Sequence, residues 1–271
     1  MPYQNVRKKA YTLELVMHGG LGNQLYQLFY ALCISKIYDI KRVIVNQDHL
    51  SRYTTPRTFE LDIFDLDRLF QCDIDYSRSC FSHLRLPKFI NRITNNENEL
   101  KLGSIILVDG YFQNVNSYRR FSQTDIQESL SVLRETYFIN QPQVEEIDDC
   151  LHHIRLSDGH FSMGDQKEIK FIESYFLKES PAFIMTDKED VVMSVSENIG
   201  HNNLHIIRSG GLSPCELLVK MGAFSTIKSN GSTLALWSSI IYSRELDSSN
   251  EMLMDFYKYV EPTFESKDLV L

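Results

Sequence analysis

From residue 150 onward the chain alternates short apolar runs with longer periodic ones, and this alternation restricts the fold more than any other feature. Cys150 to Leu156, Ala182 to Met185, Leu204 to Ile207 and Thr226 to Lys228 have the length and apolar content of buried strands. Between them, Lys167 to Phe176, Lys188 to Ile199 and Ser232 to Tyr242 show helical spacing, and Asn250 to Val260 reads as a last helix. Ser213-Pro214-Cys215-Glu216 spells a helix start, with Ser as N-cap, Pro at the first position and Glu reaching back. Strands separated by helices form a parallel sheet with both faces covered and right-handed crossovers. The fold class is therefore α/β.

The first half opens with the same unit. An apolar run, Leu13 to Met17, leads through His18-Gly19-Gly20-Leu21-Gly22-Asn23-Gln24 into an amphipathic segment carrying Leu25, Leu28, Phe29, Leu32 and Tyr38. A strand, a glycine turn and a helix start together present backbone N–H groups to an anion, and glycines permit close approach and positive φ. The amides of Asn23 and Gln24 are placed to reach the same ligand. Gly20-Leu21-Gly22 lacks the third glycine of a dinucleotide fingerprint, and no Gly-Lys-Ser/Thr follows, so neither that motif nor a P-loop fits. Arg42 to Asn46 and Ser104 to Val108 read as strands, Asp62 to Phe70 and Thr124 to Tyr137 as helices, and Thr54 to Glu60 and Asn95 to Asn98 as loop or turn. Ile139 to Asp149 reads as a linker, giving domains 1–147 and 148–271.

Composition closes off other classes. A net charge of −8 argues against a nucleic-acid binder, so an anionic ligand must be held by a few local groups. Five dispersed cysteines without a C-x-x-C pair suit reduced thiols rather than a zinc site or disulfide framework. No run reaches membrane-spanning length. The basic start, Arg7, Lys8 and Lys9, lacks an apolar signal-peptide core and reads as a solvated tail, with peripheral contact to an anionic membrane as the alternative. A cytoplasmic location, including the inner face of the membrane, is the expectation.

In an open parallel sheet, ligands bind beyond the carboxyl ends of the strands. Three polar groups fall there. His153, Arg155 and Ser157 alternate along one strand, with Asp158 next, and an arginine fork suits a phosphate. Thr186-Asp187 follows a buried strand and could serve a ribose or base, or cap the next helix. Ser229-Asn230-Gly231-Ser232-Thr233 joins a strand to a helix and offers a phosphate cradle, or simple capping.

Taken together, these residues resemble glycosyltransferase family 11, the α-1,2-fucosyltransferases. Gly19-Gly20-Leu21-Gly22-Asn23-Gln24-Leu25-Tyr26-Gln27 is similar to the family's opening G-G-L-G-N-Q-[LMF]-F-Q, and Gly110-Tyr111-Phe112-Gln113 to its G-Y-F-Q. Arg57-Thr58-Phe59-Glu60-Leu61 looks like its R-x-F-x-L. His153, Arg155 and Asp158 match its H-x-R-R-G-D, with Leu156 at the second arginine and Ser157 at the glycine. Met185-Thr186-Asp187 is similar to F-[ST]-D, and Gly231-Ser232-Thr233-Leu234-Ala235-Leu236-Trp237 to N-S-T-F-S-W-W, with Gly231 in place of Asn and Leu236 in place of a tryptophan. The likeness runs from about Leu13 to Tyr242.

The resemblance implies a GT-B architecture of two Rossmann-like domains with a cleft between them. The second domain would bind the GDP-sugar donor, and the first would supply the glycine turn and most of the acceptor site. It implies fucose transfer from GDP-fucose to a glycan, free or lipid-linked, with inversion and without a metal or other cofactor. Asp65-Leu66-Asp67 has the spelling of a cation site but lies in an expected helix. Donor contacts would come from Gly20, Gly22, Asn23, Arg155, Asp187, Asn230, Ser232 and Thr233. Arg155, Asn23, His153 and Asp158 would carry catalysis. His18, His153, Asp158 and Glu60 all remain candidates for the base. The alternatives are a transferase using another GDP-sugar and an inactive sugar-nucleotide-binding protein.

Overall fold

A computed structural model describes residues 10–53, 57–76, 90–93, 105–141, 143–156 and 165–261. The chain forms two compact units, Met1–Gln143 and Val144–Leu271.

The first unit contains β1 (Ala10–Val16), α1 (Leu21–Ile37), β2 (Asp39–Asn46), α2 (Leu66–Phe70), β3 (Asp73–Asp75), β4 (Ile90–Ile93), β5 (Ile105–Asp109) and α3 (Gln123–Asn140). Its sheet runs β3-β2-β1-β5-β4, every pairing parallel. Helix α1 departs from the amphipathic expectation: apart from Asn23, every residue from Leu21 to Ile34 is buried. A helix enclosed on all sides needs apolar residues all round, and Leu25 to Ile34 supply them. It also begins earlier than the apolar periodicity implied, so Gly22, Asn23 and Gln24 form its first turn.

The helix expected over Asp62–Phe70 breaks into a 3-10 turn, Leu61–Ile63, and the short α2. The cause is Asp65, whose carboxylate accepts the Arg68 N–H at 3.1 Å and caps a new helix. Asp65 and Asp67 thus belong to a helix start.

The second unit contains β6 (Ile147–Ile154), α4 (Asp165–Glu179), β7 (Phe183–Thr186), α5 (Glu189–Asn198), β8 (His205–Ile207), α6 (Pro214–Gly222), β9 (Phe224–Ser229), α7 (Thr233–Tyr242), β10 (Glu245–Ser248) and α8 (Glu251–Val260). The order is β10-β9-β6-β7-β8, again wholly parallel. The expected capping box forms: Ser213 Oγ accepts the Glu216 N–H at 3.2 Å and Glu216 accepts the Ser213 N–H at 2.7 Å. The division after Gln143 precedes the expected 147/148 boundary. Ile147 already belongs to the second sheet, donating its N–H to the Ala223 carbonyl at 2.7 Å.

One side of this sheet packs Ile154, Leu156 and Ile184 against Ile172, Phe176, Val192 and Val195 of α4 and α5. Helices α6 and α7 also approach closely: a Cβ on Gly222 would lie 2.2 Å from the Tyr242 ring.

Both sheets are doubly wound. In the second unit the chain steps from β6 to β7 and β8, then returns to β9 on the other side of β6. In the first it steps from β1 to β2 and β3, and β5 lies on the other side of β1. Each sheet therefore has a switch point, β6/β9 and β1/β5, where neighbouring connections diverge and open a crevice beyond the strand ends.

Candidate functional site

Glycine-turn residues fill the β1/β5 switch point. Gly19 has φ +70°, and a Cβ there would lie 2.4 Å from the Asn23 amide nitrogen, so both backbone and space require glycine. Gln24, fully buried, uses its whole amide on the protein. It donates to the Gly19 and Thr58 carbonyls at 3.0 and 2.8 Å and accepts the Glu60 N–H at 3.0 Å. Gln27 accepts the His18 N–H and donates to the Gly110 carbonyl, both at 3.0 Å. Asn23 accepts from the Gln113 amide at 2.8 Å. Gln24 is thus a tie between loops, contrary to the expectation that its amide reaches a ligand.

The second motif completes this arrangement. Phe112 holds a left-handed φ of +52°, costly for a residue with a Cβ, and is fully buried with its ring stacked on Tyr30 at 4.1 Å. Beside that turn the Tyr111 hydroxyl meets Tyr53 and the Gln113 amide meets Asn23, while Gly110 bonds Gln27.

His18 sits at the mouth of this switch point. Its Nε2 lies 2.8 Å from Asp109 Oδ1, and its Nδ1 lies 3.3 Å from the Tyr53 hydroxyl. Tyr53 in turn lies 2.6 Å from the Tyr111 hydroxyl. The His49 ring is 5.0 Å from that of His18, and burial together with the His18 ring lowers the His49 pKa. Asp109 and Tyr53 carried no role in the sequence reading. Asp109 stands at the end of an apolar strand and directly before Gly110-Tyr111-Phe112-Gln113, which is the one signal that could have marked it.

Glu60 occupies the N-terminal end of α1. Burial raises its pKa, while the Leu21 N–H and Arg57 favour its charged form. A Cβ on Gly20 would lie 3.9 Å from both Glu60 Oε2 and Arg57 Nη1. A protein carboxylate therefore stands where an anionic ligand was expected. Gly20 and Gly22 serve the entry of α1, Gly20 as N-cap and Gly22 within the buried first turn.

At the β6/β9 switch point, Asn230 clamps the end of β6. Its Oδ1 accepts the Arg155 N–H at 3.0 Å and its Nδ2 donates to the Arg155 carbonyl at 2.8 Å. Asp187, at the end of β7, accepts the Leu156 N–H at 2.8 Å. Both residues act on backbone through these bonds. Ile154 and Leu156 face α4 and α5, so alternation turns His153 and Arg155 to the opposite side. Arg155 is half-buried beside the N-terminus of α7.

There the Ser229 hydroxyl accepts the Gly231 and Ser232 N–H groups at 3.3 and 3.0 Å, and Ser232 caps α7 by accepting the Ala235 N–H at 3.3 Å. Gly231 takes φ +112°, a backbone that Asn would adopt only under strain. These bonds leave the first-turn N–H groups of Thr233 and Leu234, together with the helix dipole, to an anion.

His153 is buried, and its Nδ1 has no partner. Burial first, then the Arg155 charge, lowers its pKa to about 4, so it is a neutral ring at physiological pH. Leu156, where the resembled motif has its second arginine, is fully buried in the apolar core. Asp158 and Ser157 lie outside the described residues. No group of three or more His, Cys, Asp or Glu among the described residues is arranged to hold a metal ion. No described helix is long and apolar enough to cross a membrane.

No family model matches the chain, and no curated protein matches it. Among solved structures it is similar to the NodZ α-1,6-fucosyltransferase co-crystallised with GDP, at 13% identity and a TM-score of 0.45, over 85% of this chain and 92% of that one. Fucosyltransferase NodZ from Bradyrhizobium gives 12% identity and 0.46 over 85% and 93%. The E. coli heptosyltransferase WaaC with ADP gives 10% identity and 0.35 over 95% and 98%. Overlaps this loose transfer neither residues nor activity; the α/β architecture of two sheet-and-helix units stands on the strand order.

Proposed function

We propose that this chain is an inverting glycosyltransferase of the GT-B type that moves fucose from GDP-fucose to a sugar hydroxyl of a glycan, forming an α-1,2 linkage. The order of motifs along the chain supports the family, and one observation carries the chemistry. At the β6/β9 switch point, Asn230 fixes the Arg155 peptide beside the N-terminus of α7. A guanidinium and free helix N–H groups on one rim suit a diphosphate.

In the transition state the sugar becomes oxocarbenium-like and negative charge grows on the departing GDP. Arg155 and the N–H groups of Thr233 and Leu234 stabilise that charge in place, the role a cation would otherwise fill. Asn230 and Asp187 contribute by holding backbone. The first unit supplies the acceptor side.

A binding screen of GDP-fucose, GDP-mannose, UDP-sugars and NAD, read as thermal stabilisation, tests the donor class. GDP-sugars should stabilise the protein and NAD should not. Arg155→Ala should weaken GDP binding about 10- to 150-fold, the equivalent of one charge-assisted hydrogen bond of ~1.5–3 kcal/mol. Arg155→Lys should recover only part, because an ammonium keeps the charge without the fork. Unchanged GDP affinity in a folded Arg155→Ala protein would reject the donor site.

A further inference from the structure

We propose that His18, held by Asp109, is the base that takes the acceptor proton; this rests on the reading of the chain as a glycosyltransferase. Of the candidate bases, Asp158 lies outside the described residues. His153 is enclosed, with a pKa near 4. Glu60 has a buried Oε2, and its carboxylate is engaged by the Leu21 N–H at the N-terminus of α1. His18 is neither enclosed nor tied to a helix start. It lies at a topological switch point, and its side chain keeps 15% exposure.

The hydrogen bonds also orient the ring. With Nε2–H donating to the Asp109 carboxylate at 2.8 Å, the Nδ1 lone pair is the acceptor. Its present donor, the Tyr53 hydroxyl at 3.3 Å, is far for an O–H bond and has a second partner in Tyr111 at 2.6 Å. An acceptor hydroxyl can therefore take Tyr53's place at Nδ1 without orphaning Tyr53. The Tyr111 phenol does not compete as a base, since burial and the Tyr53 contact raise its pKa. Burial, with the His18 ring, lowers the pKa of the neighbouring His49.

The step balances. As the acceptor oxygen bonds to the anomeric carbon, its proton passes to His18 Nδ1. The bond from that carbon to the β-phosphate oxygen breaks, and its electron pair leaves with GDP. Asp109 stabilises the imidazolium that results, which then loses its proton to solvent.

Transfer, GDP affinity and melting temperature are measured for wild type, His18→Ala, His18→Gln and Asp109→Asn. Both His18 variants should lose about 100- to 10,000-fold in kcat with GDP affinity unchanged. Added imidazole should restore part of the loss in His18→Ala alone. Asp109→Asn should lower kcat at least about tenfold, and it decides the matter if the His18 variants do not fold. A folded His18 variant with kcat within threefold of wild type overturns the base assignment and leaves the transferase reading standing. A wild-type protein that transfers sugar from no donor in the panel rejects both.

Discussion

Replacing Leu156 by arginine would reproduce the paired arginines of the motif this segment resembles, and the structure says it should fail. Leu156 is fully buried against Ile154, Ile172, Phe176, Ile184, Val192 and Val195. Removing the leucine forfeits about 1.5–3 kcal/mol of apolar burial. Placing an unpaired guanidinium among these side chains adds several kcal/mol more. The sum, on the order of 5 kcal/mol or above, rivals the whole stability of an ordinary domain. Trp237, the only tryptophan, lies fully buried in α7, so its fluorescence reports on the second unit alone. Against an m-value of ~2 kcal/mol/M, the urea midpoint of that signal should fall by about 2 M or the unit should be unfolded in buffer. GDP affinity should fall with it. A Leu156→Arg protein with an unchanged midpoint and tighter GDP binding would show that position 156 is a donor contact and that the core assignment is wrong.

Two further outcomes follow from the same geometry. His153, buried with its pKa lowered from 6.5 to about 4, stays neutral in the folded state while the unfolded chain takes up a proton. Stability present above pH 6.5 is therefore lost as pH falls toward 4, by on the order of 3 kcal/mol. The difference in unfolding free energy between pH 7.5 and 4.5 should shrink by about that much in His153→Asn, and an unaltered difference would refute the buried neutral ring. On the proposed reading, transfer should persist in excess chelator, because arginine and helix N–H groups would carry the charge; complete loss restored by Mg²⁺ or Mn²⁺ would refute it.

The elements that repeat an apolar pattern were legible in the sequence. β1, β2, β5, β6, β7, β8 and β9 all announce themselves as apolar runs, and Ser213 to Glu216 marks α6 by its capping chemistry. The strands that escaped are β3, β4 and β10, all at sheet edges. Asp73-Ile74-Asp75 and Glu245-Leu246-Asp247-Ser248 show why: edge strands carry charge on exposed positions and are too short for periodicity. At the candidate site, the sequence picked out residues that gather at switch points but did not show which of their polar atoms bond the chain's own backbone. Gln24, Asn230 and Asp187 looked like ligand contacts because amides and carboxylates at strand ends often are. Backbone groups elsewhere in the chain claim them, and only coordinates show which polar atoms are already taken. The His18–Asp109 pair was illegible for the same reason, since its members stand 91 residues apart.

Glu60 has a consequence for inhibition. Helices α1 and α7 each begin at a switch point, and each presents roughly half a positive charge at its first turn. At α1 a protein carboxylate already answers that charge, whereas the first turn of α7 contains no acidic residue. On the proposed reading, the liberated diphosphate meets repulsion in the crevice that must receive the next glycan and attraction only in its own. Released GDP would then compete with incoming donor and leave the acceptor unopposed, so product inhibition should be competitive toward GDP-fucose and not toward the glycan. On the same reading, neutralising Glu60 would blur that distinction and give GDP a foothold in the acceptor crevice.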